Sequence, residues 1–360
     1  MFETVPDMAA KRAELSPNKV AFSATETGKE WTYAQIDQGA NALAHALKKL
    51  GLAAGERIGI LTHNNVEFFI TLFACQKANL ILAPLNWRQP AAELVDVVAS
   101  VGISILIYDA HGEETGLHLA RQFSVPTIGI GNTINHDHHF DALTNENGAP
   151  INQTVDTNAP WYLLFTSGTT GTPKAVIQTA KMAWANTINI GQAIGLTSDD
   201  TSVNYLPMFH TAGINLYTLP VFLNGGHSTI VPQFDANILV SLINQKKISK
   251  FFGVPAIYQA LSLREDFSDL DFTGIKFGCG GAALPADLIS QYAERGAYIC
   301  NGFGMTETGP TAFFMDEANV KHKIGAVGKA QILTQMRLDG IAHGAPGEGE
   351  VQFYGPAITP

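Results

Sequence analysis

The sequence predicts an α/β fold built on mainly parallel sheet. Three observations carry that expectation. Short apolar strands alternate with helix-period segments along most of the chain. The 360 residues suffice for two or three domains and a large core. Several strands in the second half end in glycine-bearing loops, and open α/β sheets bind ligands beyond the carboxyl ends of their strands.

The first element starts at Trp31. Thr32 and Gln35 form a capping box ahead of Ile36, Ala40, Leu43, Ala44 and Leu47, which recur at helical spacing. Gly51 is placed to stop that helix. Residues 57–61 read as a short buried strand, Asn64 as the cap of a helix through Lys77, and residues 80–83 as the next strand. A helix near 91–101 and a strand at 103–108 repeat the unit. Residues 131–158 are rich in Asn, Asp, His and Thr without periodicity, so they read as loop and domain boundary. A strand follows at 161–165.

Beyond it, strands are expected at 228–231, 251–254, 275–278 and 298–301. Asp235 caps a helix holding Ile238, Leu239, Leu242 and Ile243, and residues 285–295 form another. The Gly/Pro-rich end holds one alternating strand at 350–354. The expected domains are a first α/β subdomain at 1–158, a second with the nucleotide site at 159–325, and the start of a β-rich subdomain at 326–360.

Composition narrows the function. Hydrophobic residues make up 46% and charged ones 15%, as in ordinary globular proteins. A formal charge of −10 gives no support for nucleic-acid binding. No apolar run is long enough to span a bilayer, and the first residues lack the apolar core of a secretory peptide. Cys75, Cys279 and Cys300 form no CxxC pair, which fits a reducing cytoplasm. His136, Asp137, His138 and His139 lie in a polar segment with no element to aim them, so they read as loop residues rather than metal ligands.

The densest stretch is "FTSGTTGTPKAV", residues 165–176. A Walker loop needs lysine directly after glycine and a hydroxyl after that. Here Thr172 and Pro173 separate Gly171 from Lys174, and Ala175 follows, so the P-loop reading falls. The chemistry still suits phosphate: Thr166, Ser167, Thr169 and Thr170 offer hydroxyls, Gly168 and Gly171 expose amides, and Lys174 carries a charge.

This loop closely resembles the phosphate loop of the adenylate-forming superfamily of acyl-CoA synthetases, luciferases and peptide-synthetase adenylation domains. "NWR" (86–88), "LPMFHTAGIN" (206–215), "FFGVPAIYQAL" (251–261), "GCGGAALP" (278–285), "NGFGMTETGP" (301–310) and "GEVQFYGP" (349–356) match the same family in the same order. The flavour is nearest the fatty-acyl-CoA synthetase branch, and nearly the whole chain is covered. The resemblance implies stacked αβα layers from two Rossmann-like sheets. It implies an acid–thiol ligase: a carboxylate and ATP give acyl-AMP and pyrophosphate, and coenzyme A then takes the acyl group.

Roles follow from the resemblance residue by residue. Thr166, Ser167, Gly168, Thr169, Thr170, Gly171 and Lys174 are expected to hold the β- and γ-phosphates. Gly280, Gly281 and Ala282, with Asn301, Gly302, Phe303, Gly304 and Met305, are expected around the adenine and AMP. Thr306 is expected on the α-phosphate and Glu307 at Mg²⁺. Phe303 stands where the family commonly has tyrosine, and keeps the stacking face without the hydroxyl. His210 is expected beside the carboxylate. The acyl pocket is expected at His210, Gly213, Ile214, Asn215, Val254 and Gly302. No Lys or Arg occurs between Tyr205 and Gln245, which favours an apolar or aromatic acid with a single carboxylate.

The family continues past "GPAITP" into a smaller lid domain with a catalytic lysine. This stretch alone is therefore expected to be impaired relative to its parent. Alternatives are transfer to a carrier-protein thiol, or a non-catalytic nucleotide- or acyl-binding module. A cytoplasmic location without membrane or nucleic-acid partners is expected, and the resemblance leaves room for a homo-oligomer.

Overall fold

The alternating elements close into two units in the computed structural model, which describes residues 2–145, 148–151, 153–166, 173–342 and 344–360. The first unit takes Met1–Ala180, Asn204–Gly213 and Thr229–Gln233; the second takes Lys181–Val203, Ile214–Ser228 and Phe234–Pro360.

In chain order the first unit holds β1 (Thr4–Pro6), α1 (Met8–Leu15), β2 (Val20–Ala24), β3 (Glu30–Thr32), α2 (Tyr33–Lys49), β4 (Arg57–Leu61), α3 (Val66–Ala78), β5 (Ile81–Pro84) and α4 (Ala91–Val101). It continues with β6 (Ile103–Tyr108), α5 (Glu113–Phe123), β7 (Thr127–Gly129), β8 (His138–His139), α6 (Phe140–Thr144), β9 (Thr154–Asp156), β10 (Pro160–Thr166) and β11 (Lys174–Thr179). Among the described residues its main sheet has the order β11-β10-β5-β4-β6-β7-β8. Every pairing in it is parallel except the β10–β11 hairpin at one edge. Leu61, Ala83, Leu94, Val98, Leu106 and Leu119 form a core that seats α4 and α5 on this sheet.

The capping box at Thr32 and Gln35 starts α2 as expected. The cap of α3 is Asn65, not Asn64: its side chain accepts from Phe68 N at 2.8 Å. A cap must directly precede the first helical residue, and that one-residue shift leaves Asn64 for another task. Three helices meet at Lys77, which is fully buried in α3. Its Nζ lies 2.8 Å from Asp7 Oδ2, at the cap of α1, and 2.7 Å from Asp37 Oδ1 in α2. Burial raises the Asp7 pKa, and the Lys77 charge offsets that only in part.

Residues 131–158 are not plain loop. Buried Phe140 anchors α6, and β8 and β9 flank it. Asp137 accepts from Thr127 N and Oγ1, both at 2.8 Å, and the His139 ring bonds Gly131 O at 2.8 Å, so this polar run ties its own backbone down. The first unit therefore runs on past 158 to Ala180, because β10 and β11 extend its sheet.

The second unit begins with α7 (Ala180–Ile194) and β12 (Thr201–Asn204). A π-helical turn at Ala212–Leu216 precedes α8 (Thr218–Asn224) and β13 (His227–Ile230). Next come α9 (Ala236–Asn244), β14 (Lys250–Gly253), α10 (Pro255–Ser262), β15 (Lys276–Cys279), α11 (Ala286–Ala293) and β16 (Ile299–Phe303). Short antiparallel strands close it: β17 (Phe313–Phe314), β18 (Lys329–Ala330), β19 (Gln335–Leu338) and β20 (Val351–Tyr354). Strands β12, β14, β15 and β16 are parallel neighbours in that order. Asp235 caps α9 as expected, accepting from Asn237 N at 2.7 Å. Edge-to-face rings of Phe251, Tyr258, Phe277 and Tyr292 fill the core. Among the described residues no helix is long and apolar enough to cross a membrane.

Candidate active site

In the first unit, β10 delivers Thr166 and β11 starts at Lys174, and the two are partners across the hairpin. Ser167, Gly168, Thr169, Thr170 and Gly171 lie outside the described residues. Thr166 lines a cavity of about 460 Å³ together with Phe165, Pro173, Pro84, Asn86, Gln89, Glu93, Asp96, Val97, Phe209 and His210. The fold thus brings the foot of the phosphate loop and His210 to one cavity, although 44 positions separate them in the sequence (210 − 166).

The turn that carries His210 is held from below. Asn64 Nδ2 donates to Leu206 O at 2.9 Å, and its Oδ1 accepts from Met208 N at 3.2 Å. Asn204 Nδ2 donates to Gly213 O at 2.7 Å. A side chain at Gly213 would strike the carbonyls of Leu206 and Pro207, so the turn needs glycine there. The adjacent asparagines 64 and 65 were the available signal: one position suffices to cap a helix, and the second is then free to brace a loop.

Aromatic contacts surround the imidazole. The His210 and Phe209 ring centroids are 4.5 Å apart, and Trp87 sits edge-on to Phe209 at 6.2 Å. The Arg88 guanidinium lies 4.9 Å from the Trp87 ring and 5.9 Å from that of Phe209. Desolvation, and then the Arg88 charge, lower the His210 pKa, so the ring is neutral at pH 7. A cation therefore stands close to His210 although residues 205–245 contain no Lys or Arg. Arg88 comes from elsewhere in the chain, where counting along one window cannot see it.

The second unit gathers the expected nucleotide residues at neighbouring strand ends. Gly280, Gly281 and Ala282 follow β15, and Cys279 pairs with Asn301 of β16. Gly281 has φ +83°, and a Cβ on Gly280 would sit 3.2 Å from Phe252 and 3.3 Å from Gly302 O. Asn301 is buried, and its Oδ1 has no hydrogen-bond partner among the described residues. A Cβ on Gly304 would fall on the Pro310 carbonyl oxygen. Phe303 is 41% exposed and stacks on Phe353 with centroids 6.2 Å apart. Thr306 and Glu307 form a short 3-10 turn with Thr308, whose Oγ1 accepts from Met305 N at 2.8 Å.

That loop is braced by α7. Asn186 Oδ1 accepts from Thr311 N at 3.3 Å while its Nδ2 donates to Asn215 O. Asn189 Nδ2 donates to Thr311 O at 3.4 Å and Thr334 Oγ1 at 3.2 Å, and its Oδ1 accepts from Leu333 N at 2.9 Å. Ile214 and Asn215 are buried in the π-helical turn, and Val254 leads into α10. The expected acyl-pocket residues are therefore divided: His210 and Gly213 belong to the first unit, Ile214, Asn215, Val254 and Gly302 to the second.

The sequence profile described as AMP-binding enzyme matches residues 9–360. The chain belongs to the AMP-binding enzyme family. A feruloyl-CoA synthase from Amycolatopsis sp. is 33% identical over 97% of the chain and 69% of its own length. An indoleacetate–CoA ligase from Aromatoleum aromaticum is 29% identical, over 97% of the chain and 69% of its own length. Among solved structures, the inhibitor-bound N-terminal domain of FACL13 from Mycobacterium tuberculosis superposes with a TM-score of 0.88 at 27% identity. It covers 98% of this chain and 89% of that one. This AMP-binding enzyme is of the ATP-dependent carboxylate–CoA ligase type, AMP-forming, with the α/β fold of an adenylate-forming N-terminal domain.

Proposed function

We propose that the enzyme activates an aromatic monocarboxylic acid as its acyl-AMP and passes the acyl group to coenzyme A. The observation that carries this reading is the cavity shared by Thr166 and His210, with the neutral imidazole facing it. Two relatives are named for aromatic acids, which supports that class; the absence of Lys and Arg from residues 205–245 equally suits a fatty acid, the second class.

The first step brings a carboxylate to a polyphosphate, so donors and cations must offset like charges. Neutral His210 carries no acidic imidazolium proton that the attacking carboxylate oxygen would take, and its one ring N–H is left as a hydrogen-bond donor. Thr166 and Lys174, with the residues between them, hold the departing pyrophosphate, and Thr306 donates to the α-phosphate. The adenine lies along Gly280, Gly281 and Ala282 and over Phe303; the unpartnered Asn301 Oδ1 accepts from its amino group. In the second step the thiolate attacks the acyl carbonyl and AMP leaves.

Mg²⁺ fits this site. The Glu307 side chain has no hydrogen bond or ion pair among the described residues, and Mg²⁺ prefers one or two carboxylates plus phosphate oxygens and water. Bound there, it supplies charge neutralisation across the phosphates. Buried free thiols at Cys75, Cys279 and Cys300 support a cytoplasmic location.

The test is product analysis. Acid-dependent pyrophosphate release without coenzyme A, and AMP together with thioester once coenzyme A is added, support the reading. ATP turnover to ADP overturns it.

A further inference from the structure

We propose that the Tyr217 hydroxyl recognises an oxygen substituent at the far end of an aromatic acyl group, so that the preferred acid is ring-hydroxylated. This rests on the aromatic-acid reading above.

Tyr217 directly follows the π-helical turn that carries Ile214 and Asn215. It is 4% exposed, and its buried hydroxyl has no hydrogen-bond partner among the described residues. Nearly all buried polar groups are paired, and an orphan in a binding region points to the group that completes it.

The hydroxyl has a defined place in the sheet. A Cβ on Gly278 would overlap it, so it occupies the space that a side chain at Gly278 would fill. Gly278 lies in β15, two positions before Gly280, where the strand turns out to the nucleotide residues. The nearby carbonyl of Gly278 already accepts from Tyr258 Oη at 2.6 Å. The Tyr217 ring meets Phe252 edge-on, with centroids 5.6 Å apart. Phe252 precedes Gly253 at the end of β14, and Asn215 and Ile214 lie on the same turn as Tyr217. An acyl group entering from the carboxyl ends of β14 and β15 therefore extends toward this hydroxyl.

The surroundings select the partner's chemistry. Two aromatic rings and a residue without a side chain suit a flat ring. Burial keeps Tyr217 protonated, and the thiols of Cys279 and Cys300 are pushed up to about 12, so all three groups are neutral. A neutral phenol or alkoxy oxygen pairs with such a hydroxyl; a second carboxylate finds no countercharge in that set.

The test uses two stable acyl-adenylate mimics, acylsulfamoyl adenosines bearing 4-hydroxycinnamoyl or unsubstituted cinnamoyl, titrated by calorimetry. The wild-type chain is expected to bind the hydroxylated mimic about 10- to 100-fold tighter. Tyr217→Phe is expected to bring that ratio close to one. Equal binding of the two mimics by the wild-type chain overturns the inference while leaving the ligase reading intact. A ratio that survives Tyr217→Phe also overturns it. Failure of both mimics to bind wild type overturns the aromatic-acid reading on which the inference rests, and leaves the ligase type standing. The wild-type comparison stands even if the variant does not fold.

Discussion

The two units present their candidate residues in opposite ways. In the first, the candidate groups are side chains: the His210 imidazole and the Thr166 hydroxyl at one cavity, with the Arg88 guanidinium acting on the imidazole. In the second, glycines at the ends of β15 and β16 expose backbone, and large side chains are kept away by carbonyls. A side-chain site is tuned by charge and pH. A backbone site is tuned by shape, and tolerates almost no added atom.

The strongest way to press on this contrast is charge removal in the first unit. Lys77→Met leaves buried Asp7 and partly buried Asp37 without that cation and is expected to cost about 3–5 kcal/mol in urea unfolding. The pH dependence is informative. The folded-state pKa of Asp7 is raised, so its ionisation weakens the fold as pH climbs from the ordinary carboxylate range through that raised value. Removing Lys77 widens that window, and the variant is expected to recover part of its loss in acid. A loss independent of pH would mean that packing, not charge, dominates there.

Gly304→Ala is the matching test of shape. Its new methyl falls on the Pro310 carbonyl, and overpacking of this kind costs about 1–3 kcal/mol. AMP affinity should fall with it; calorimetry showing unchanged AMP binding would break the contrast. Thr306→Val removes the expected α-phosphate donor, and a loss of about tenfold in ATP affinity is expected, roughly 1.4 kcal/mol.

Asparagines 64 and 65 separate helix from site. Asn65→Ala is expected to cost about 1 kcal/mol in stability as a lost cap. Asn64→Ala frees Leu206 O and Met208 N and should lower acyl-adenylate formation more than it lowers stability.

The smallest effect concerns His210. Arg88→Ala removes a cation that disfavours the charged imidazole, so the His210 pKa should rise. The change is modest because desolvation is the larger cause. NMR titration of the ring reads it directly. The wild-type ring is depressed, so its contribution to stability is complete above the ordinary imidazole pKa of about 6.5 and is lost as pH falls toward the folded value.

Much of this was legible in the sequence. The spans of β4, α4 and β6 follow directly from periodicity, and the caps at Thr32 and Asp235 from residue type. What escaped needed partners distant in sequence. Strands β2 and β3 are short and paired to each other, so neither announces itself alone. The α6 helix has only five residues and depends on burying Phe140. Lys77 looked like an ordinary helix-end lysine until Asp7 and Asp37 arrived from two other helices. Arg88 and Asn64 reach the His210 turn by the same kind of tertiary route. The motif residues of the second unit were readable because they sit consecutively at strand ends.

The two asparagines of α7 have a further consequence. Each uses its amide in both directions, giving and receiving a bond, and of the side chains of that length only a carboxamide does both without a charge. Spontaneous loss of ammonia from either one would swap a donor for an anion beside Thr311. The loop that follows Thr306 and Glu307 would then come loose while every residue expected to touch nucleotide stayed chemically intact. Ageing of the purified enzyme has a place to begin that no substitution at the nucleotide residues would reveal, and a gain of one mass unit on α7 would mark it.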